Sequence, residues 1–179
     1  MFFLRKSTLE RLPVAMSGVK MGERALQIGV DDASLIGAIA AKVGLSGHAA
    51  IAVTDERQAG RARAAAAAAG AFIDVHIAAL ESLPFERDTF DVVVLHARGV
   101  SHPLDDPASV PMLCDVLRVL RAHGRIVIIE SGAHGLLDRV RPAHRPDVSG
   151  TLGMLATAGF RAARLLAERE GDRFFEAVK

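Results

Sequence analysis

The sequence lacks tryptophan and tyrosine altogether, and its 179 residues include a single cysteine, Cys114. The eight phenylalanines fall mostly inside apolar runs, so we expect no aromatic platform on which nucleic-acid bases would stack. One cysteine excludes an internal disulfide framework. Because Cys114 lies on the apolar stripe of a predicted helix, we expect a buried, small apolar side chain in preference to a reactive thiol.

Net charge and long apolar segments are also scarce. Lys and Arg total 22 against 21 for Asp and Glu, a formal net charge of +1, which is too small to attract nucleic acid or an anionic membrane. The apolar run at residues 1–4 is followed at once by Arg5 and Lys6, and it is too short for a signal peptide or a membrane span. These absences predict a cytoplasmic protein that binds a small molecule or another protein.

Short apolar runs alternate with segments of helical periodicity along the chain. Strands are predicted at residues 24–28, 49–53, 72–77, 90–95 and 125–130, with a closing antiparallel hairpin at residues 163–167 and 173–178. Helices are predicted at residues 7–11, 35–43, 56–69, 109–123 and 151–158. The length suits one domain, and the alternation is typical of a parallel α/β sheet with helices on both faces.

Two features of the second half carry specific expectations. Ser109 is expected to cap a helix that has Pro111 in its first turn and ends at His123 and Gly124. Residues 126–129 then form a continuous apolar run, typical of a parallel strand that is covered on both faces. We therefore expect this strand at or near the centre of the sheet.

The turn after the first strand has the pattern of a nucleotide-binding turn, but it lacks most of the glycines. Gly29 opens the turn, while Asp31 and Ala33 stand where glycine would let the backbone approach a ligand. In such folds the turn places backbone N–H groups and a helix N-terminus next to the ligand. The pattern therefore predicts a ligand-binding fold whose turn departs from its usual chemistry.

Four segments resemble the class I S-adenosylmethionine-dependent methyltransferases, in particular the small UbiE-like, or methyltransferase type 11, branch. They are residues 23–29, residues 81–85 followed by 90–95, residues 117–128, and residues 158–160 with the closing hairpin. The resemblance spans nearly the whole chain. It implies a three-layer Rossmann-like methyltransferase fold with a mostly parallel seven-stranded sheet in the order 3-2-1-4-5-7-6, the last strand antiparallel.

Under this resemblance the chain is one methyltransferase-like domain in three parts. Residues 1–22 form an N-terminal helical segment, residues 23–131 form the half that holds the cofactor, and residues 132–179 form the C-terminal half with the hairpin. The N-terminal segment lies near the cofactor mouth in the family, so we expect Phe2 or Phe3 to be largely buried there or at a dimer interface.

The resemblance implies S-adenosylmethionine as cofactor and a set of residues around it. The positions that match the family's cofactor-binding segments are Gly29, Val30, Thr54, Asp55, Leu80, Glu81 and His96. The family's first motif has an acid and three glycines, which correspond here to Gln27, Gly29, Asp31 and Ala33. Its ribose-binding acid corresponds to Val53, with Asp55 two residues further on, and its adenine-binding acid corresponds to Ala79, with Glu81 nearby.

These departures remove several hydrogen bonds together, each worth about 1 kcal/mol or more. The Asp31 carboxylate would also lie near the carboxylate of the cofactor, and like charges disfavour binding. Asp55 replaces the missing ribose-binding acid only if the turn is rearranged. We therefore expect weak or absent binding of S-adenosylmethionine.

His96 and His102 are the candidate catalytic residues. His96 ends the fourth strand, at the edge where open α/β sheets place ligands, and His102 lies in the loop that follows. Each is a candidate general base near neutral pH; the alternative for both is a loop-capping or core-edge histidine. Basic residues of the connection 132–150 either recognise an anionic substrate or form a solvated loop. No spacing of His, Cys and acidic residues predicts a metal site.

Two functions remain open at this stage. One is a methyltransferase, a transferase of one-carbon groups, that methylates an oxygen, nitrogen or carbon atom of a small molecule by positioned displacement. The other is a non-catalytic relative, a pseudoenzyme that keeps the fold as an interaction or regulatory module, with assembly as a homodimer left open. Titration with S-adenosylmethionine distinguishes the two.

Overall fold

The structure is a computed structural model that describes residues 11–131, 146–169 and 171–179. The helices are α1 (Leu12–Met16), α2 (Ala33–Val43), α3 (Glu56–Ala68), α4 (Val110–Val119) and α5 (Val148–Thr157). The strands are β1 (Arg24–Ile28), β2 (His48–Val53), β3 (Asp74–Ile77), β4 (Phe90–His96), β5 (Leu120–Glu130), β6 (Arg161–Arg169) and β7 (Asp172–Val178). Strands and helices alternate as the sequence predicts.

The strands form one seven-stranded sheet in the order β3-β2-β1-β4-β5-β7-β6. Strands β1 to β5 pair in parallel, and β7 is antiparallel to both β5 and β6. This confirms the sheet order and the antiparallel closing hairpin. The apolar run 126–129 lies in β5, between β4 and β7, so the expectation of a strand near the centre of the sheet is confirmed.

Helices cover both faces of the sheet. On one face, apolar side chains of β1, β4 and β5 pack with α4 and α5, for example Leu26 with Leu113 and Leu155. On the other face, neighbouring positions of the same strands pack with α1 and α2, as Ala25 does with Ile39. Side chains alternate between the faces of a strand, so each central strand contributes to both apolar layers.

Helix α4 ends earlier than the sequence predicts, at Val119 and not at His123 and Gly124. The chain becomes extended at Leu120 because it pairs there with Phe90 of β4. The backbone carbonyls of Arg118 and Val119 also accept hydrogen bonds from the segment that leads into β4. Pairing between distant segments therefore overrides the local helical pattern.

Two expectations about α4 were wrong. Ser109 precedes the helix, but its hydroxyl makes no capping hydrogen bond, because Ser109 already lies in a one-turn 3₁₀ helix that the Asp106 side chain caps. Cys114 is exposed: the buried stripe of α4 runs through Met112, Leu113, Val116 and Val119, and Cys114 lies beside it. Cys114 is close to the backbone oxygen of Ala158, at 3.9 Å.

Other boundaries shift by a few residues. The third strand begins at Asp74, so Phe72 lies outside it and is 82% exposed. The predicted helix 7–11, the burial of Phe2 or Phe3 and the basic connection at residues 132–145 lie outside the described residues. Within the described residues, the first helix is α1.

Candidate functional site

The fold places the candidate residues along the carboxyl-terminal edge of the sheet. The strand order changes direction between β1 and β4, which are neighbours although four elements separate them in sequence. Open α/β sheets bind ligands in the crevice outside the carboxyl ends of the strands at such a switch point. The residues after β1, β2 and β4 therefore define the candidate site.

The turn after β1 packs directly against the turn after β4. Gly29 has a backbone φ of +74°, a conformation that favours glycine. A Cβ atom on Gly29 would lie 2.6 Å from the carbonyl oxygen of Gly99, and a Cβ on Gly99 would lie 2.4 Å from the backbone nitrogen of Val30. The two backbones thus leave no space between them at this point, and Val30 is buried.

Gln27 and His96 join the two switch-point strands inside the core. Both are 1% exposed, and His96 Nε2 lies 3.1 Å from Gln27 Oε1. The amide nitrogen of Gln27 donates to the Ile36 carbonyl of α2 at 3.0 Å. Because the amide oxygen of Gln27 then accepts, the imidazole donates from Nε2.

Burial lowers the pKa of His96 to about 4, against a small opposing effect of the Asp32 charge. The imidazole is therefore neutral at neutral pH. The structure places His96 at the edge of the core, which agrees with the alternative of a core-edge histidine. A catalytic role for His96 remains a prediction. His102 is exposed, so the two candidate histidines do not share one environment.

The carboxylate of Asp31 lies in the first turn with one oxygen unsatisfied. Its Oδ2 atom is buried and makes no hydrogen bond to any described residue. The backbone carbonyl of Asp31 accepts a hydrogen bond from Arg61 of α3 at 2.9 Å. The turn thus carries a carboxylate with one buried oxygen that the described residues leave unsatisfied.

Asp32 caps α2 and ties the incoming N-terminal segment to the same edge. Its carboxylate accepts from the backbone N–H of Ser34 at 2.9 Å and from Arg11 at 2.8 Å. Burial opposes ionisation of Asp32, but the hydrogen bonds from Ser34 and Arg11 outweigh it and hold its pKa below the usual value. Arg11 is therefore fixed at the start of α2.

The end of β2 is occupied by a helix cap. Val53 is fully buried, and Asp55 is the N-cap of α3, where it accepts from the backbone N–H of Gln58 at 2.8 Å. The amide nitrogen of Gln58 reaches back to Asp55 Oδ2 at 3.2 Å and to the hydroxyl of Thr54 at 3.0 Å. Both carboxylate oxygens of Asp55 are thus engaged inside the chain.

The segment after β3 is split between core and surface. Leu80 is 2% exposed and packs in the core with α4, whereas Ala79 and Glu81 are exposed. Glu81 borders a shallow hollow of about 440 Å³ beside Cys114 and Arg118 of α4. The structure therefore brings Gln27 to His96, Gly29 to Gly99, and Gln58 to both Thr54 and Asp55. It buries Leu80 and leaves Glu81 exposed.

Sequence reasoning missed Gly99, Gln58 and Arg61. A signal for Gln58 was present, because an acid followed three residues later by Gln resembles a capping box. Gly99 and Arg61 meet the first turn only through the fold, and no local pattern marks them. Residues 11–131, 146–169 and 171–179 contain no group of three or more His, Cys, Asp and Glu residues that would hold a metal ion.

The helices of the described part of the chain include none that is long and apolar enough to cross a membrane.

Comparison with known proteins gives consistent results. A family model described as a methyltransferase domain matches residues 25–124. Among curated proteins, the chain is similar to the ubiquinone/menaquinone biosynthesis C-methyltransferase UbiE of Ectopseudomonas mendocina (strain ymp), with 30% identity over 165 residues that cover 89% of this chain and 62% of that protein. The chain thus spans less than two thirds of the length of this relative.

Solved structures share the fold. A SAM-dependent methyltransferase from Aquifex aeolicus matches with a TM-score of 0.73 and 18% identity, covering 93% of this chain and 87% of that one. The YcgJ protein from Bacillus subtilis matches with a TM-score of 0.70 and 16% identity, covering 96% of this chain and 97% of that one. At these identities the likeness concerns the fold alone.

Proposed function

The chain belongs to the class I S-adenosylmethionine-dependent methyltransferase family, and from that premise we propose that it is a member with a remodelled cofactor site. In this proposal S-adenosylmethionine binds weakly or not at all, and the domain works as a non-catalytic interaction or regulatory module. The observation that carries the proposal is the Asp31 carboxylate, which has a buried, unsatisfied oxygen in the first turn.

The first turn does not fit the cofactor in charge or in space. The Asp31 carboxylate repels the carboxylate of S-adenosylmethionine, and like charges in a partly buried site cost several-fold in affinity or more. Between Gly29 and Gly99 the two backbones already touch. The amino-acid end of S-adenosylmethionine therefore finds neither a set of hydrogen-bond donors nor free space at this point of the turn.

The side chains that would replace the family's acids are committed elsewhere. Gln27 stands at the position of the first acid and is bonded to His96 and α2. Asp55 caps α3, and Val53 and Ala79 carry no acceptor on their side chains. A ribose that needs a bidentate carboxylate would have to compete with the helix cap, which stabilises a helix by about 1 kcal/mol.

The second candidate function is a working methyltransferase that acts on a small molecule. The family match over residues 25–124 and the C-methyltransferase named among the relatives favour it. The cofactor would supply an electrophilic methyl group, and the chain would position the acceptor. Under this candidate, the exposed His102 remains a possible base and the buried His96 a positioning group for β1 and β4.

Calorimetric titration of the full chain with S-adenosylmethionine and S-adenosylhomocysteine tests the proposal. We expect no saturable heat up to cofactor concentrations of about 1 mM. A dissociation constant in the low micromolar range or tighter overturns the proposal and favours the working enzyme.

A restored variant tests the reason for weak binding. Gln27→Asp, Asp31→Gly, Ala33→Gly and Ala79→Asp together return the family's residue types, and in a variant whose thermal melt shows a folded protein we expect cofactor binding to appear if these positions limit it. A matched variant that carries only Ala33→Gly and Ala79→Asp leaves the Asp31 charge in place, and we expect it to bind no better than the parent. Restored binding in that matched variant would contradict the role given to Asp31.

A further inference from the structure

The opposite edge of the sheet holds an open cavity of about 280 Å³. It lies at the amino-terminal ends of β2 and β3, away from the carboxyl edge where the family binds its cofactor. Small residues shape most of its wall and leave the volume open: Ala40, Ala41, Gly44, Gly47, Gly70 and Ala71. The cavity is slightly smaller than a typical ligand pocket, so a small ligand fits it best.

A carboxylate lies in this cavity. His48 at the start of β2 and Asp74 at the start of β3 both line it. Their side chains approach to 3.5 Å between His48 Nε2 and Asp74 Oδ2, and 64% of the Asp74 side chain is exposed. The largely exposed carboxylate of Asp74 places a negative charge at the cavity, so the cavity favours a cation.

Two helix ends add to the negative potential. Helix α2 ends at Val43 and helix α3 at Ala68, and the wall of the cavity includes residues from the last turn of α2 and from the segment after α3. The C-terminus of a helix carries a partial negative charge. Helix α3 has no basic residue in its last turn, and Lys42 of α2 points to the carbonyl of Val14 at 3.3 Å.

An aromatic and an aliphatic side chain stand at the rim. Phe72 and Leu45 line the cavity, yet they are 82% and 90% exposed. Their exposed faces offer apolar contact area to a ligand in the cavity. A phenyl ring beside a carboxylate matches the pair of groups that recognises ammonium ligands, through cation–π and ionic attraction.

We propose that this cavity is a binding site for a small organic cation with an ammonium head group. Asp74 and the C-terminal end of α3 supply the negative potential, Phe72 covers the head group, and the small residues of the wall admit its methyl or methylene groups. The site is separate from the carboxyl edge, so it does not depend on whether S-adenosylmethionine binds there.

The test compares a cation with its neutral isostere on the full chain. Choline and 3,3-dimethyl-1-butanol have the same shape and differ in charge, and their binding is followed by amide shifts in ¹H–¹⁵N spectra. We expect choline to give saturable shifts at Gly44, Gly47, Gly70 and Phe72, and the alcohol to bind about tenfold more weakly or less. Equal binding of the two probes, or shifts located elsewhere, overturns the proposal.

Variants separate the contributions of charge, aromatic contact and cavity volume to choline binding. Asp74→Asn is expected to weaken choline binding about tenfold and Phe72→Leu about threefold, while Ala41→Leu fills the cavity and should abolish saturable shifts. Glu86→Gln removes an exposed carboxylate outside the cavity wall and should leave binding unchanged. The proposal is wrong if Asp74→Asn keeps parental affinity in a protein with unchanged melting temperature.

Discussion

The two edges of the sheet use their polar groups in opposite ways. At the carboxyl edge, Gln27 bonds His96, Asp55 bonds Gln58, and the Gly29 backbone touches Gly99. At the amino edge, Asp74 and Phe72 are largely exposed around an open cavity. Apart from the unsatisfied oxygen of Asp31, these groups at the carboxyl edge bond one another, whereas the amino edge is open.

The difference shows that a fold and its ligand site are separable. Internal hydrogen bonds at the carboxyl edge contribute to folding, because each of these polar groups has a partner within the chain. Exposed groups at the amino edge contribute little to stability and remain available for a partner. Substitutions at the two edges should therefore differ most in their effect on the free energy of unfolding.

The largest effect is expected from Gly29→Ala at the carboxyl edge. The new Cβ would lie 2.6 Å from a backbone oxygen at a residue with positive φ, so we expect a loss of about 3 kcal/mol or more in urea denaturation. Gly70→Ala is the matched control, since Gly70 also has positive φ but no atom within 4 Å of the new Cβ. Its loss should be about 1 kcal/mol, and equal losses would show that the Gly99 contact is unimportant.

The next effect is a loss of stability in acid that depends on His96. Its pKa falls from 6.5 to about 4 on folding, so the unfolded chain binds a proton at a higher pH than the folded chain does. The contribution of His96 to the free energy of unfolding is complete above about pH 6.5, and it decreases as the pH falls from there towards 4. Between about pH 7 and pH 5 we expect a loss of about 2 kcal/mol from this group.

Urea denaturation of the parent and of His96→Gln at both pH values isolates this contribution. The amide nitrogen of glutamine reaches the position of His96 Nε2 and keeps an N–H donor towards Gln27, but it does not titrate. The variant should be less stable than the parent at neutral pH, with a smaller loss on acidification. If both proteins lose the same stability between the two pH values, His96 is not the titrating group.

A smaller effect is expected from Asp55→Ala, which removes the cap of α3. Loss of the hydrogen bonds to Gln58 should lower the free energy of unfolding by about 1 kcal/mol. Glu56→Ala removes the neighbouring carboxylate, which bonds only the exposed Arg63 among the described contacts, and should cost less than about 0.5 kcal/mol. A cost for Asp55→Ala as small as that of Glu56→Ala would argue that its carboxylate is free for a ligand.

The smallest effect is expected at the amino edge. Asp74→Asn should change the free energy of unfolding by less than about 0.5 kcal/mol, because 64% of the Asp74 side chain is exposed and its atoms come no closer than 3.5 Å to His48 Nε2. A thermal melt of this variant beside the parent provides the measurement. A clear loss of stability would mean that both edges are built from internal contacts, and the comparison between them would fail.

Local patterns were sufficient to predict the order of strands and helices and, with the family resemblance, the order of the sheet. They failed where a distant segment decides the conformation. Helix α4 stops at Val119 because Leu120 pairs with Phe90, and Cys114 is exposed because the buried stripe passes beside it. Neither fact follows from periodicity, which marks an apolar stripe only to within a residue or two.

The candidate site was predictable only in part for the same reason. The sequence located the turn at Gly29 and its departures from the family, since these are local. It did not show that Gln27 meets His96, 69 positions away, or that Gly99 closes on Gly29, because such contacts depend on how β1 and β4 are placed side by side.

The hydrogen bond between Gln27 and His96 also limits the routes by which the sequence can change. Gln27→Asp alone would place a second ionisable group in a buried space beside an imidazole that burial keeps neutral, so the single substitution is expected to be unfavourable until His96 changes as well. Positions 27 and 96 are therefore coupled: we expect a change at one of them to be tolerated best when the other changes with it.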